Sequence, residues 1–294
     1  MTAAVVTTVG LTKQYGDTTA LDRVDFTVPK GAIYGLVGPN GAGKTTLLGI
    51  LAGLRTPTSG TATVNAASVR VLPDTPKFDP WLTAREVVEL ARTLTAPGSP
   101  ATDVDEVLDA AGLLDNAGRR VRGFSRGMLQ RLGIAAAVVG DPDLLLLDEP
   151  AAALDPAGRR EVLDLIERLR GRATVVFSSH ILDDVQQVSD EIGILRRGSL
   201  IYQGSLEGLL AGRRATSYVI TMRSDHEAAL SALAAASWTG DAVLGDDGIL
   251  RVVVNDLEVA ERELVPLLAG LGAPIVSVQP HRESLEDVFL EVTR

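Results

Sequence analysis

The sequence predicts an α/β protein in two parts: a domain built on a largely parallel, buried sheet, then a smaller α+β domain. Three observations carry this. Short β-rich runs alternate with helical patterns through the first two-thirds of the chain. Two of those runs, Leu144 to Leu147 and Ala173 to Phe177, are continuously apolar and too short for helices. The composition then shifts between Gly204 and Thr216, and strand and helix patterns begin afresh.

Taken in order, Ala32 to Val37 is an apolar run that ends in glycine-rich sequence, and Thr45 to Gly53 reads as a helix. A mostly helical region follows from about Trp81 to Val139, with a Pro/Gly/Ser break at Ala96 to Pro100. Leu144 to Leu147 lies between an Asp-Pro and Asp148-Glu149-Pro150, and Ala173 to Phe177 ends in Ser178, Ser179 and His180. Both read as central strands with polar residues at their C-terminal ends, the edge at which open α/β sheets bind ligands. Beyond the composition shift, Ser217–Met222, Ile249–Val254 and Pro274–Val278 read as strands. His226–Ala235, Leu257–Leu271 and a closing Ser284–Val292 read as helices, in an order that suits a ferredoxin-like sandwich. The expected boundaries are residues 1–213, with a helical subdomain at about 81–140, and residues 214–294.

The 294 residues are 46% hydrophobic and 22% charged, the composition of an ordinary globular chain with a sizeable core. A formal net charge of -10 argues against broad binding to nucleic acid or an anionic membrane surface, both of which need clustered positive charge. Arg119, Arg120 and Arg122 form the densest basic cluster and read as a solvated loop. Only four of the 28 basic residues are lysines, which suits a GC-rich bacterial source. The absence of cysteine excludes disulfides, thiolate metal sites and cysteine nucleophiles. Three scattered histidines make a histidine-rich metal site a poor reading. No signal peptide is expected in Met1 to Gly10, and no run reaches the roughly 18 apolar residues of a membrane span. A soluble, cytoplasmic chain is expected, and any membrane role would need a partner.

Gly38-Pro39-Asn40-Gly41-Ala42-Gly43-Lys44-Thr45 fits the G-x-x-x-x-G-K-[ST] pattern and sits between a strand and a helix, as its mechanism requires. Its glycines let backbone N–H groups converge on phosphate oxygens, and the helix N-terminus adds partial positive charge there. Lys44 is expected to reach the β/γ-phosphates of ATP, and the Thr45 hydroxyl to ligate Mg²⁺. Such a match arises by accident in about one chain of this kind in a hundred. At the end of the Leu-rich run, Asp148 suits a second Mg²⁺ ligand, direct or through water, and Glu149 a general base for the attacking water. His180 suits a contact to the γ-phosphate and that water. Alone, a strand-end histidine or an Asp-Glu-Pro turn would as readily be structural.

Together with Phe124-Ser125-Arg126-Gly127-Met128-Leu129-Gln130, these residues resemble the nucleotide-binding domain of ABC transporters, the match running from about Val5 to Gly204. The resemblance implies a P-loop NTPase fold of the ABC type. It also implies ATP contacts for Tyr15 (stacking on adenine), Gly38, Asn40, Gly41, Gly43, Lys44, Thr45 and Thr46. In the family, Ser125 and Gly127 would touch the ATP of a second protomer, and Asp155 in Ala152-Ala153-Leu154-Asp155 would link the two protomers. The implied enzyme is a Mg²⁺-dependent ATPase at the cytoplasmic face of the membrane. It would work as a homodimer or heterodimer of such domains and drive separate transmembrane permease subunits.

Two departures stand out. Arg126 and Met128 replace a usual glycine and glutamine, and Asp74 stands where the family usually has a glutamine. A carboxylate only accepts hydrogen bonds unless protonated, whereas an amide also donates. Asp74 could reach Mg²⁺ or water, but coupling to the permease would differ in form. These departures, with Arg282 to Leu290, resemble the branch serving drug, antibiotic, polysaccharide and lipid exporters. Two alternatives stay open: a soluble ATPase acting on ribosomes or nucleic acid, and an importer ATPase whose last 80 or so residues sense a ligand. His226 and His281 in that segment read as surface residues.

Overall fold

The computed structural model describes residues 3–95, 104–211, 216–245, 247–272 and 274–281. The chain divides into two compact units, Met1–Leu206 and Glu207–Arg294.

In the first unit, β1 (Ala4–Tyr15) and β2 (Thr18–Pro29) form an antiparallel hairpin. Next come β3 (Ile33–Val37), α1 (Lys44–Leu51), β4 (Ser59–Val64) and β5 (Val69–Leu72). The helical region holds α2 (Ala84–Thr95), α3 (Val104–Ala110) and α4 (Arg126–Val138). Then β6 (Leu144–Leu147), α5 (Pro156–Glu167), β7 (Thr174–Ser179), α6 (Leu182–Val188), β8 (Glu191–Arg196) and β9 (Ser199–Ser205) complete it. Helix α7 (Leu206–Ala211) follows.

Two sheets result. The larger has the order β5-β6-β7-β3-β8-β9, parallel except for the β8–β9 edge pair. The smaller is antiparallel, β2-β1-β4. Strands β3, β6 and β7 are buried along their whole length, as the continuous apolar runs require. Helix α1 is wrapped in one core with both sheets: Val6, Leu11 and Phe26 from the small sheet, Leu36, Leu144 and Val176 from the large. The expected buried parallel sheet is therefore present. The small sheet was not separable in the sequence, because its 12-residue strands are half exposed and share the composition of neighbouring loops.

The second unit holds β10 (Thr216–Met222), α8 (His226–Ala235), β11 (Thr239–Leu244), β12 (Ile249–Val254), α9 (Leu257–Gly270) and β13 (Ile275–His281). The order β11-β12-β10-β13 is antiparallel throughout and gives the βαββαβ arrangement of the ferredoxin-like class. Strand β11 escaped the sequence pattern, since Gly240 and Asp241 disfavour strands and its residues are only partly covered at the sheet edge. The unit has its own core, in which Tyr218, Ile220, Leu250 and Val252 meet Leu233, Leu264 and Trp238. Asp256 caps α9 by accepting from the Val259 N–H at 3.1 Å. His226 is half-buried and its Nε2 lies 3.2 Å from the Met222 carbonyl, so it is a packed residue more than a surface one. The closing helix expected at Ser284–Val292, the Arg282–Leu290 ending and the His281 side chain lie outside the described residues.

Candidate functional site

Strand β3 runs between β7 and β8, so its C-terminal end delivers the glycine-rich loop to the middle of the large sheet. The loop turns into α1 through Gly43, which has φ 109° and packs so closely that a Cβ would stand 2.5 Å from the Ala20 carbonyl oxygen. No L side chain fits both conditions. Lys44 is buried, and its Nζ donates to the carbonyls of Gly38 at 2.6 Å and Pro39 at 3.3 Å. Asn40, Gly41 and Thr45 are exposed at the loop's surface. Thr46 is buried and its hydroxyl accepts from Arg55 at 3.5 Å.

The end of β6 meets this loop. Lys44 Nζ lies 3.1 Å from Glu149 Oε1, both side chains largely buried. The approach is an ion pair without hydrogen-bond alignment, and Glu149 Oε1 is an otherwise unpartnered buried oxygen. His180 Nδ1 lies 2.8 Å from the other oxygen, Glu149 Oε2. Glu149 itself sits at φ 48°, a backbone region costly for a non-glycine residue. Ser178 holds it there: the Ser178 hydroxyl accepts from the Glu149 N–H at 2.8 Å and donates to Asp148 Oδ1 at 2.7 Å. Strand β7 thus holds the Asp148 carboxylate and the Glu149 main chain with one side chain.

A further buried carboxylate supports the same strand end. Asp184 of α6 is ion-paired with Arg159 of α5 and accepts from the Ser179 hydroxyl at 3.2 Å. Burial pushes its carboxyl above the ordinary aspartate range, opposed in part by Arg159 and Ser179.

The other predicted residues lie in three places. Ser125 is the N-cap of α4, accepting from the Met128 N–H at 3.2 Å, and is exposed, with Gly127 half-exposed two residues on. Asp155 is the N-cap of α5, accepting from the Gly158 N–H at 2.8 Å. That carboxylate oxygen therefore serves its own helix. Tyr15, at the open end of β1, is exposed; its hydroxyl accepts from Arg55 at 2.9 Å and Lys13 Nζ lies 4.9 Å from its ring centre. Arg120 and Arg122 flank the exposed Trp81 ring, and Arg119 lies over Phe124, so the basic cluster is anchored to aromatic rings as well as solvated.

Asp74 lies two residues beyond the end of β5. It is exposed, and the atom it commits to a hydrogen bond is its backbone carbonyl, which accepts from Gln130 Nε2. Among the described residues no three carboxylate, histidine or cysteine side chains gather into a metal-holding group, so Asp74 does not join Asp148 and Glu149 in one. The donor set does fit Mg²⁺ in its usual manner, which takes one or two protein oxygens and leaves the rest to phosphate and water. The exposed Thr45 hydroxyl and the buried Asp148 carboxylate are oxygens of the kind such a site takes. Sequence reasoning missed Ser178, Asp184, Arg159 and Gln130 as site residues. Ser178, beside His180, and Gln130, at the end of the Phe124–Gln130 motif, left a signal in the sequence.

Known proteins resemble this chain in both sequence and fold. The ABC transporter family profile matches residues 21–152. An uncharacterized ABC transporter ATP-binding protein of Bacillus subtilis, YxlF, is 34% identical, over 96% of this chain and 97% of its own. The bacitracin transport ATP-binding protein BcrA of Enterococcus faecalis is 34% identical, over 97% and 95% respectively. The daunorubicin/doxorubicin resistance ATP-binding protein DrrA of Streptomyces peucetius is likewise 34% identical, over 98% and 92%. Among solved structures, an ATP-binding subunit of an ABC transporter superposes with a TM-score of 0.62 at 26% identity, covering 71% of this chain and 92% of that one. A dimeric ATP-binding cassette in a post-hydrolysis state with ADP and Pi gives 0.61 at 26%, covering 68% and 98%.

Proposed function

Because the chain belongs to the ATP-binding proteins of the ABC transporter family, we propose that it is the ATP-hydrolysing subunit of an exporter, driving a separate transmembrane permease. The observation that carries this is Glu149, set at the end of β6 with Lys44 on one oxygen and His180 on the other. A carboxylate held beside a buried ammonium at the mouth of a glycine-rich loop is placed to act on a water next to bound phosphate.

In the reaction, the backbone N–H groups of Gly41 and Gly43 and the Lys44 ammonium hold the β- and γ-phosphates, displacing Lys44 from the loop carbonyls. Glu149 takes a proton from the attacking water as its oxygen bonds to the γ-phosphorus, and the bond to the β,γ-bridging oxygen breaks to leave ADP and phosphate. His180 fixes the Glu149 carboxylate and the water. Mg²⁺, held by Thr45 and Asp148, would supply charge neutralisation on the phosphate oxygens. Tyr15 offers an exposed ring for adenine. Ser125 and Gly127, exposed at the start of α4, offer a hydroxyl and helix N–H groups to the γ-phosphate of a second protomer's ATP, so two chains are needed for full turnover. Export is the direction because relatives covering nearly the whole chain are named for bacitracin transport and daunorubicin resistance.

Replacing Glu149 with Gln tests the base. ATP binding should persist, turnover should fall by at least about 100-fold, and a dimer should accumulate with Mg-ATP. Unchanged hydrolysis would sink the assignment.

A further inference from the structure

Gln130, in the second turn of α4, is completely buried. Its Nε2 donates to the Asp74 backbone carbonyl at 2.5 Å, while its Oε1 is buried with no hydrogen-bond partner. A methionine would fill the same volume without that unsatisfied oxygen. The amide's presence is explained by the bond its other end makes.

That bond joins two parts of the site. The segment after β5 is fixed to the catalytic strand, because the Asp148 N–H donates to the Leu72 carbonyl at 2.8 Å. Helix α4 lies against the same segment so closely that a Cβ on Gly133 would overlap the Leu72 side chain. At its start stands the Ser125 cap. A continuous path therefore runs from Asp148 through Leu72 and Asp74 to Gln130 and on to Ser125.

We propose that Gln130 is a positioning residue that sets the start of α4, and with it Ser125 and Gly127, against the nucleotide-binding sheet by reading the main chain of Asp74. The inference rests on the two-protomer reading above. It gives residue 74 a role independent of its side chain, so an aspartate serves there without an amide.

The test uses the full chain in the Glu149→Gln background, with Mg-ATP as the probe. Sedimentation velocity gives the dimer dissociation constant, and a fluorescent ATP analogue gives the affinity of the single chain. Gln130→Met and Gln130→Glu should each weaken the dimer tenfold or more, leave single-chain affinity within twofold, and keep a cooperative thermal transition. Asp74→Ala, which retains the carbonyl, should dimerise like the parent. Three outcomes overturn the proposal: Gln130 variants that dimerise normally, an equal loss of single-chain affinity, or an Asp74→Ala chain that no longer dimerises. If Glu149→Gln alone stays monomeric with Mg-ATP, the two-protomer reading fails first and this inference with it.

Discussion

Glu149 combines a strained backbone, a largely buried side chain and two polar neighbours, the Lys44 ammonium and the His180 ring, and each has a separate cause. The left-handed backbone turns the carboxylate out of the strand direction, and the Ser178 hydroxyl offsets part of the cost by taking the freed N–H. Asp184 is the complementary case of a carboxylate that supports from behind. Its folded pKa is raised above the ordinary 3.8, so the folded state binds the proton more tightly than the unfolded chain. Stability from this group is then present at the lowest pH and declines as pH rises from about 4 through the raised value. Comparing urea midpoints of the parent and Asp184→Asn across pH 3.5 to 7 should show the parent losing ground as pH rises; a flat difference would refute it. Glu149 was legible in the sequence because it follows an apolar run. Asp184 was not, since its partners Arg159 and Ser179 stand 25 and five residues away and only folding brings them together.

Elements carry the next layer. Helix α1 is only eight residues long, marginal in isolation, and almost every residue in it is buried between two sheets. Its stability comes from packing, and its start is set by Gly43. Gly43→Ala would place a Cβ against the Ala20 carbonyl in a backbone conformation costing about 1–3 kcal/mol. We expect a lowered urea midpoint together with at least a tenfold loss of ATP affinity, both read in one nucleotide titration series; normal affinity would show that the loop tolerates the shift. Strands β6 and β7 were legible to within two residues because parallel buried strands are continuously apolar. Strand β11 and the small β2-β1-β4 sheet were not, because an edge or half-exposed strand needs a neighbour to define it.

At the scale of the whole molecule, two units each own a core, so they should melt separately. Saturation with Mg-ATP at about 100 times its dissociation constant stabilises a binding unit by about 2.7 kcal/mol. Calorimetry at protein concentrations that keep the chain a single protomer should therefore show one transition moving with nucleotide and one that does not. A single transition that moves as a whole would show the two units to be coupled. We further propose that the second unit stabilises the dimer or gates its closure. A chain ending at Leu206 should then dimerise more weakly in the Glu149→Gln background, and unchanged dimerisation, ATPase rate and transport would dispose of that role.

Local chemistry and short-range pattern were enough to define the phosphate loop, the Asp148-Glu149 pair and the buried parallel strands. Each depends on residues adjacent in the chain: glycines before a lysine, carboxylates after four leucines. Folding alone determined which side chains serve those groups. Ser178 bridging the Asp148 carboxylate and the Glu149 main chain from 30 and 29 residues away, and Gln130 reading a main-chain carbonyl 56 residues away, both depend on packed geometry. Asp74 shows the physical reason. A backbone carbonyl is the same in every residue, so a contact made through it leaves no mark on the sequence at that position.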